Sequence, residues 1–300
     1  MVRVVAAGHV NWDVTLRVDS LPAPDGEACI RSQRRAGGGS AANVAVGLSR
    51  LDVPTGVIGS VGDDDHGMLA TRELAEDGVD LTELVVSEGT ETSVKYLIVD
   101  GDGEVMVLGN DGANEAITPT DVDPAYVRGT DCLHLTGQDP ALAAHLAEIA
   151  DDAGVLISVD PGRRIVERDF SDVVERADVV FVNRREAPTV FEDGLPAPEH
   201  VGRVVVEKRG ADGAAVHAPE GTYTHPGFGV DPVDTTGAGD AFAAGYLAVR
   251  LDGTDHERAL EVANACGALA ARVEGARAAP PRSAVDRFLE TWPQTAPNDR

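Results

Sequence analysis

The sequence predicts an α/β fold: a largely parallel, Rossmann-like β-sheet with helices on both faces, in a three-layer α-β-α arrangement. Two observations predict it. Short runs are almost continuous in Val, Ile and Leu, as in parallel strands buried on both faces, and helical patterns separate most of these runs. A chain of 300 residues can bury a large core, so we expect residues 1–300 to form a single domain.

The predicted elements alternate along the chain. Strands are predicted at 2–7, 53–61, 132–135, 155–159, 179–182 and 204–206. Helices are predicted at 41–51, 68–77, 140–153, 170–177 and 239–251. Because a strand–helix–strand unit brings its two strands side by side in the same direction, this order indicates a parallel sheet between two helical layers.

Two regions, at about 14–35 and 92–108, break this order. Residues 93–99 alternate between polar and apolar side chains, as a strand with one exposed face does. We expect both regions to form antiparallel strands outside the main sheet and to pair into a small lid.

The charge of the chain is strongly negative. It carries 51 acidic and 25 basic residues, a net charge of −26. Such a surface repels nucleic acids and anionic membranes, and we expect neither as a partner. Lys95 and Lys208 are the only lysines. Acidic excess with few lysines is typical of proteins from salt-loving cells, where concentrated ions screen self-repulsion.

The cysteines and the apolar stretches of the sequence predict where in the cell the protein is located. The three cysteines are Cys29, Cys132 and Cys266, which are far apart and outside any paired motif. This pattern argues against a disulfide framework and favours a reducing compartment. The apolar stretch at the start of the sequence is too short for the apolar region of a signal sequence, and it is predicted to be the first strand. No apolar run approaches the length of a membrane span. We therefore expect a soluble, cytoplasmic protein.

The most informative segment is 234–246, where a glycine-rich turn leads into a helix of small and apolar residues. Glycines allow consecutive backbone N–H groups to point one way, and a helix N-terminus adds its positive dipole. Together they favour an anion such as a phosphoryl group in transfer. Asp240 lies in the first turn of this helix. From the residues alone it is either a helix cap or a general base for an attacking hydroxyl.

A second glycine-rich segment, 37–45, also leads into a predicted helix. It is either a phosphate cradle or an ordinary loop. It lacks the glycine spacing that follows the first strand in dinucleotide-binding folds. A P-loop is excluded, because neither lysine stands in the required Gly-Lys-Ser/Thr context.

The two glycine-rich segments together resemble the signatures of the ribokinase-like family, also called PfkB carbohydrate kinases. Asp-Thr-Thr-Gly-Ala-Gly-Asp at 234–240, followed by Ala-Phe-Ala-Ala-Gly, is similar to the C-terminal signature without a gap. Gly-Gly-x-x-x-Asn at 38–43 is similar to the N-terminal one, and 57–67 to the stretch that follows. The resemblance covers nearly the whole chain and, with the acidic composition, indicates a haloarchaeal type of member.

The resemblance implies roles for the residues of both signatures. Asp240 is implied as the general base, and an anion hole is implied for the backbone amides of Gly237, Ala238 and Gly239. The acceptor is implied to contact Asn11, Asp13, Gly38, Gly39 and Asn43. Ribokinase itself has a lysine where this chain has Ser40, so its ribose contacts are not carried over.

The resemblance further implies ATP and Mg²⁺. Glu186, in Asn183-x-x-Glu186, would hold Mg²⁺ indirectly. The nucleotide-binding residues would be Asn183, Lys208, Gly210, Gly213 and Asn264. Asp234 and Thr236 match the side chains that hold K⁺ in members activated by it. Asp160-Pro161-Gly162-Arg163 is similar to a further family stretch, with Gly162 in place of Asn. Lids of the family pair between subunits, which implies a homodimer.

The expected function is phosphorylation of a hydroxyl on a sugar or sugar-like small molecule by ATP. Three acceptor classes remain open: a free sugar, a nucleoside, and an acidic or phosphorylated sugar such as 2-keto-3-deoxygluconate or a sugar phosphate. A non-catalytic sugar sensor is disfavoured, because Asp240 and the glycines are retained. Five arginines near the predicted site either bind an anionic acceptor or face solvent: Arg31, Arg34, Arg35, Arg184 and Arg185.

Overall fold

The main sheet carries the fold. The computed structural model describes residues 1–101, 104–191, 195 and 202–292. The strands of the main sheet are β1 (Val4–Ala7), β4 (Thr55–Gly62), β5 (Leu84–Ser87), β8 (Cys132–Thr136), β9 (Leu156–Asp160), β10 (Val179–Asn183), β11 (Val204–Lys208), β12 (Ala214–Ala218) and β13 (Gly221–His225). Their order is β13-β12-β11-β10-β9-β8-β1-β4-β5, and all pairs from β11 to β5 are parallel.

Two helical layers cover this sheet. The helices are α1 (Ser40–Arg50), α2 (Asp65–Glu76), α3 (Pro124–Arg128), α4 (Pro140–Ala153), α5 (Ser171–Arg176), α6 (Ala187–Val190), α7 (Ala238–Arg250), α8 (His256–Ala271) and α9 (Arg282–Thr291). Strand β1 has both faces buried: Val4 and Ala6 pack with α1, α7 and α8, whereas Val5 and Ala7 pack with α4. The predicted three-layer α/β fold is confirmed.

A second, smaller sheet has the order β3-β2-β6-β7, with β2 (Asn11–Val18), β3 (Ile30–Gly38), β6 (Val94–Val99) and β7 (Val105–Gly109). The two hairpins β2–β3 and β6–β7 are antiparallel as expected. The contact between the hairpins differs from the expectation, because β2 and β6 pair in parallel. Each hairpin fixes only its own register, and the long connection between them allows either direction.

The predicted elements match the observed ones within a few residues, and α4 matches at both ends. The sequence patterns did not reveal β5, the antiparallel edge strands β12 and β13, or the helices α8 and α9. Within the described part of the chain, no helix has the length and apolar character needed to cross a membrane.

The parallel strands end at one edge of the sheet. Strand β1 lies between β4 and β8, so the chain runs to one side through β4 and β5 and to the other side from β8 to β11. Ligands of open α/β sheets bind outside the carboxyl ends of the strands, where the strand order reverses. Of the predicted site residues, Asn183 and Lys208 end two of these strands and lie at this edge.

Candidate functional site

The glycine-rich turn before α7 has a backbone that only glycine accepts. Gly237 has φ +75°, and a Cβ atom there would collide with the backbone carbonyl of Ala276. The Ala238 amide donates to the Thr235 carbonyl at 3.2 Å and closes the turn. The amides of Gly237 and Gly239 have no hydrogen-bond partner among the described residues. Within the described residues, the turn therefore presents two amides without a hydrogen bond, beside the Ala238 amide that bonds Thr235.

Asp240 follows this turn, in the first turn of α7, and its residue is half-buried. Its pKa is raised to about 6, mainly because burial disfavours the charged form. The amide nitrogen of Asn43 donates to its Oδ2 at 2.8 Å, which favours the charged form. A carboxylate with a pKa near neutrality can accept a proton and release it again.

The predicted acceptor residues lie on the other side of Asp240. Asn11 and Asp13 are on β2, Gly38 ends β3, and Asn43 is in the first turn of α1. A side chain at Gly38 would overlap the Asp13 carboxylate, so glycine is required there. Burial raises the pKa of Asp13 to about 6, while the charges of Lys95 and Arg277 oppose the rise.

Gly39 shapes the entry to α1. It has φ +95°, and a side chain there would collide with the His9 carbonyl. This close approach brings the end of β1 and the start of α1 together, so that both contribute to the region in front of Asp240.

Several buried polar atoms around these residues have no hydrogen-bond partner in the described structure. Buried polar groups are normally paired, so unpaired ones at a sheet edge indicate a ligand-binding site. The free atoms in this region are His9 Nε2, Asn11 Nδ2, Asp13 Oδ1, Asn43 Oδ1 and Asn114 Oδ1. Asn114 is tied to the group through its Nδ2, which donates to Asn11 Oδ1 at 2.7 Å.

Two of the residues predicted to bind the nucleotide, Asn183 and Lys208, lie at the ends of β10 and β11, and Asp160 ends the neighbouring β9. The ammonium group of Lys208 bonds Asp160 and lies close to Gly239. The pKa of Lys208 is raised, although burial opposes this, because Asp160, Glu186 and Asp240 surround it. Lys208 therefore links the predicted nucleotide residues to the turn that precedes Asp240.

Asn183 and Glu186 form a tight turn after β10. Glu186 Oε2 accepts from the Asn183 amide at 2.9 Å, and Asn183 Oδ1 accepts from the Glu186 amide at 3.0 Å. The pKa of Glu186 is raised by burial and then by the charge of Asp160. Asp160 and Glu186 provide buried carboxylate oxygens, the ligand type that a hard cation such as Mg²⁺ prefers, and Lys208 offsets part of their charge.

The other predicted nucleotide residues are less directly connected. Gly210 and Gly213 have φ +63° and +79° in the turn between β11 and β12. Asn264 is buried in α8, and its amide donates to the Leu260 carbonyl of the same helix at 2.7 Å. The structure therefore connects Asn264 to its own helix and not by a hydrogen bond to the rest of the site.

The predicted cation residues join two loops. Asp234 Oδ1 accepts from the Thr236 amide at 2.9 Å, and Asp234 Oδ2 accepts from the Gly275 amide at 3.0 Å. Both residues line a small cleft together with Asp13 and Arg34.

Sequence reasoning missed a group of residues near the acceptor side. They are His9, Lys95, Asn114, Arg164 and Arg168. Their one sequence signal was the rarity of lysine, since both lysines influence the pKa of Asp240. The arginines named from the sequence are exposed: Arg31, Arg34, Arg35, Arg184 and Arg185.

Comparison with known proteins places this arrangement among sugar kinases. The profile of the pfkB family carbohydrate kinases matches residues 1–283. The chain is 58% identical over 294 residues to an ATP-dependent ribose-1-phosphate kinase of Halopiger xanaduensis, covering 96% of this chain and 98% of that protein. It is 28% identical over 304 residues to a nucleoside kinase of Methanothermobacter thermautotrophicus, covering 96% of each.

A solved structure agrees with these similarities at the level of the fold. The Arabidopsis thaliana ribokinase complexed with ribose and ATP superposes with a TM-score of 0.84 at 24% identity. The match covers 97% of this chain and 99% of that one.

Proposed function

Because the chain belongs to the pfkB family of carbohydrate kinases, we propose that its acceptor is a sugar 1-phosphate, with ribose 1-phosphate as the first candidate. As a member of this family it is an ATP-dependent phosphotransferase with an alcohol group of a sugar-like molecule as acceptor. The 58% identity to a ribose-1-phosphate kinase supports the choice of acceptor. The observation that carries the mechanism is the buried carboxylate of Asp240 beside two free amides at the start of α7.

In the proposed reaction the acceptor hydroxyl attacks the γ-phosphorus of ATP. A bond forms between the hydroxyl oxygen and this phosphorus, the bond to the β–γ bridging oxygen breaks, and ADP leaves. Asp240 takes the hydroxyl proton. The free amides of Gly237 and Gly239 are directed at the charge that grows on the phosphoryl oxygens, with the helix dipole behind them.

Lys208 is proposed to bind the oxygens of the ATP phosphoryl group that is transferred. Its ammonium group lies next to Gly239 and is surrounded by carboxylates. Glu186 and Asn183 are proposed to hold Mg²⁺, in part through water, and Mg²⁺ when bound would offset charge on the nucleotide phosphates. Gly210, Gly213 and Asn264 are proposed to border the nucleotide.

The acceptor is proposed to bind between Asp240 and the small sheet. Asp13, with one free carboxylate oxygen, and Asn43 and Asn11, with free amide atoms, would bind the sugar hydroxyls. Gly38 and Gly39 allow the chain to approach closely. The small sheet would act as a lid that excludes water from the phosphoryl group.

Further parts of the proposal concern assembly, ions and location. We treat residues 1–300 as one kinase domain that dimerises through the small sheet. Exposed apolar side chains on that sheet support the dimer: Ile30, Tyr96, Met106, Val107 and Leu108.

Asp234 and Thr236 are proposed to hold K⁺. Three free cysteines support a reducing, cytoplasmic location.

An acceptor panel tests the proposal. The purified protein would be assayed in molar KCl with ATP and Mg²⁺ against ribose 1-phosphate, ribose, a nucleoside and 2-keto-3-deoxygluconate. ADP release and the mass of the product would be measured. We expect the highest kcat/KM with ribose 1-phosphate and a sugar bisphosphate product. A nucleoside or free sugar used at least as well would refute the acceptor assignment.

A further inference from the structure

A group of cationic side chains lies on the acceptor side of the site. Lys95 on β6 is the strand partner of Asp13 on β2, so the two residues are side by side on the small sheet. Arg164 and Arg168 follow β9, in the segment opposite. Three cationic side chains thus border the predicted acceptor residues in a chain whose net charge is −26.

Lys95 differs from the two arginines, whose charges are paired with carboxylates. It is half-buried, and within the described residues its ammonium group has no hydrogen bond and no ion pair. Burial lowers the pKa of Lys95, and the nearby charges of Arg163 and Arg164 lower it further against the effect of Asp13. A charge withdrawn from water without a partner is unfavourable, and an incoming anion would compensate it.

The two arginines are held in place but keep free donors. Arg164 Nη2 donates to Asp111 at 2.6 Å, and Arg168 bonds Glu115. Each guanidinium has five N–H donors, so further bonds are available. Arg168 Nη1 is buried and has no partner in the described part of the chain.

The pKa of His9 is affected by the same three cationic side chains. Its pKa is lowered to about 3 by burial and by the charges of Lys95, Arg164 and Arg168. The imidazole is therefore neutral, and its Nε2 is among the free buried atoms. Glu115 Oε1 lies 3.7 Å from His9 Nε2 and also pairs with Arg164 and Arg168, so both arginines lie close to His9.

We infer that Lys95, Arg164 and Arg168 bind the phosphate group that the acceptor sugar already carries. This inference rests on the proposed function and assigns the residues that distinguish a sugar phosphate from a free sugar. Lys95 acts on both Asp13 and Asp240. As the strand partner of Asp13 it lies beside the predicted acceptor residues, so a phosphate bound to it would belong to the same molecule as the attacking hydroxyl.

The exposed arginines do not serve this purpose. Arg31, Arg34 and Arg35 are exposed on β3, and Arg34 lines the cleft of the predicted cation residues. Arg184 is exposed and paired with Asp212 at 2.9 Å. An anion bound to them would remain hydrated, and exposed pairs contribute little binding energy.

A lysine substitution with a matched control tests the inference. Lys95→Gln removes the charge and keeps most of the length, whereas Arg35→Gln removes a charge from the exposed face of the same sheet. Both would be compared with the wild type using ribose 1-phosphate and ribose as acceptors. A charge-assisted contact of typical strength predicts that KM for ribose 1-phosphate rises about 30-fold in Lys95→Gln. We expect kcat for ribose 1-phosphate and kcat/KM for ribose to change less than about threefold, and Arg35→Gln to match the wild type.

The alternative outcomes are distinct. An equal loss with both acceptors would overturn the inference and assign Lys95 to the phosphoryl group in transfer. An unchanged KM for ribose 1-phosphate would also overturn it. A wild type that turns over only other acceptors would instead refute the proposed function.

A binding measurement decides the inference without turnover. Inorganic phosphate would be titrated by calorimetry into protein saturated with a non-hydrolysable ATP analogue, which occupies the nucleotide side. We expect binding that weakens at least tenfold in Lys95→Gln and Arg164→Gln and not in Arg35→Gln. Absence of binding to the wild type, or equal binding to all variants, would overturn the inference.

Discussion

The side-chain amide of Asn43 donates a hydrogen bond to the Asp240 carboxylate across 2.8 Å. These residues belong to the two glycine-rich segments, one at the start of α1 and the other at the start of α7. The bond favours the ionised form of a carboxylate whose pKa burial has raised. The amide therefore tunes the proposed base, and the two signatures form one site.

We expect the activity to fall in acid as Asp240 becomes protonated. Its pKa is raised to about 6, and the base must be ionised, so kcat/KM should decrease below about pH 6 and level off above it. The pKa of Asp13 is also about 6, and ionisation of both groups would make the decrease steeper than tenfold per pH unit. A pH profile of kcat/KM in molar KCl measures this. A rate that is constant from pH 7 to pH 5 would contradict it.

Asn43→Ala tests the link between the amide and the base. Without the hydrogen bond the pKa of Asp240 should rise further, so the acid limb should move towards neutral pH by on the order of one unit. If Asn43 served only to bind the acceptor, KM would rise, and kcat/KM would decrease in acid at the same pH as in the wild type.

The burial of Asp240 should reduce the stability of the protein. Its pKa lies at about 6 in the fold against 3.8 for the unperturbed group, so the folded state favours the protonated form. Stability is therefore greatest below pH 4 with respect to this group and is lost as the pH rises through 6. We expect Asp240→Asn to be more stable than the wild type by about 1–3 kcal/mol at pH 8, after allowance for partial exposure.

Denaturant unfolding at several pH values measures this difference. It should shrink towards zero as the pH approaches 4. A variant that is less stable than the wild type at pH 8 would show that the carboxylate stabilises the fold.

Asp234 should control the response to monovalent cations. Its two oxygens accept from the Thr236 and Gly275 amides, and Asp234 and Thr236 both line the small cleft. We expect a higher kcat in KCl than in NaCl at equal ionic strength, and loss of this difference in Asp234→Ala. Equal rates of the wild type in both salts would remove K⁺ from the account.

The protein should require concentrated salt. A net charge of −26 repels itself, and the screening length shortens from about 10 Å at 0.1 M to about 3 Å at 1 M salt. We therefore expect Tm to rise by several degrees between 0.1 M and 2 M KCl. A Tm that is independent of salt would mean that the acidic surface is tolerated without screening.

The two glycine-rich segments, together with their resemblance to the family signatures, predicted which parts of the chain border the candidate site. Gly237 and Gly39 are required by positive φ angles and close backbone contacts, and such positions leave a visible mark in the sequence. For the Lys95–Arg164 group the rarity of lysine was the one sequence signal, because β6 and the segment after β9 are far apart in the sequence. The parallel pairing of β2 with β6 was missed for the same reason.

Edge elements were missed because their patterns are weak. β13 alternates Thr, Tyr and Thr on a half-exposed edge, and α8 is rich in alanine with little contrast between its faces.

The central claim is that Asp240 is the base, and turnover of Asp240→Asn tests it most directly. Asp139→Asn is a matched control, because Asp139 caps α4 by accepting from Leu142 at 3.0 Å and has no part in the site. Turnover of ribose 1-phosphate at saturating ATP and Mg²⁺ would be measured at pH 8. We predict a kcat about 10³-fold lower in Asp240→Asn, and an unchanged kcat in Asp139→Asn. An Asp240→Asn enzyme as fast as the wild type would contradict the account.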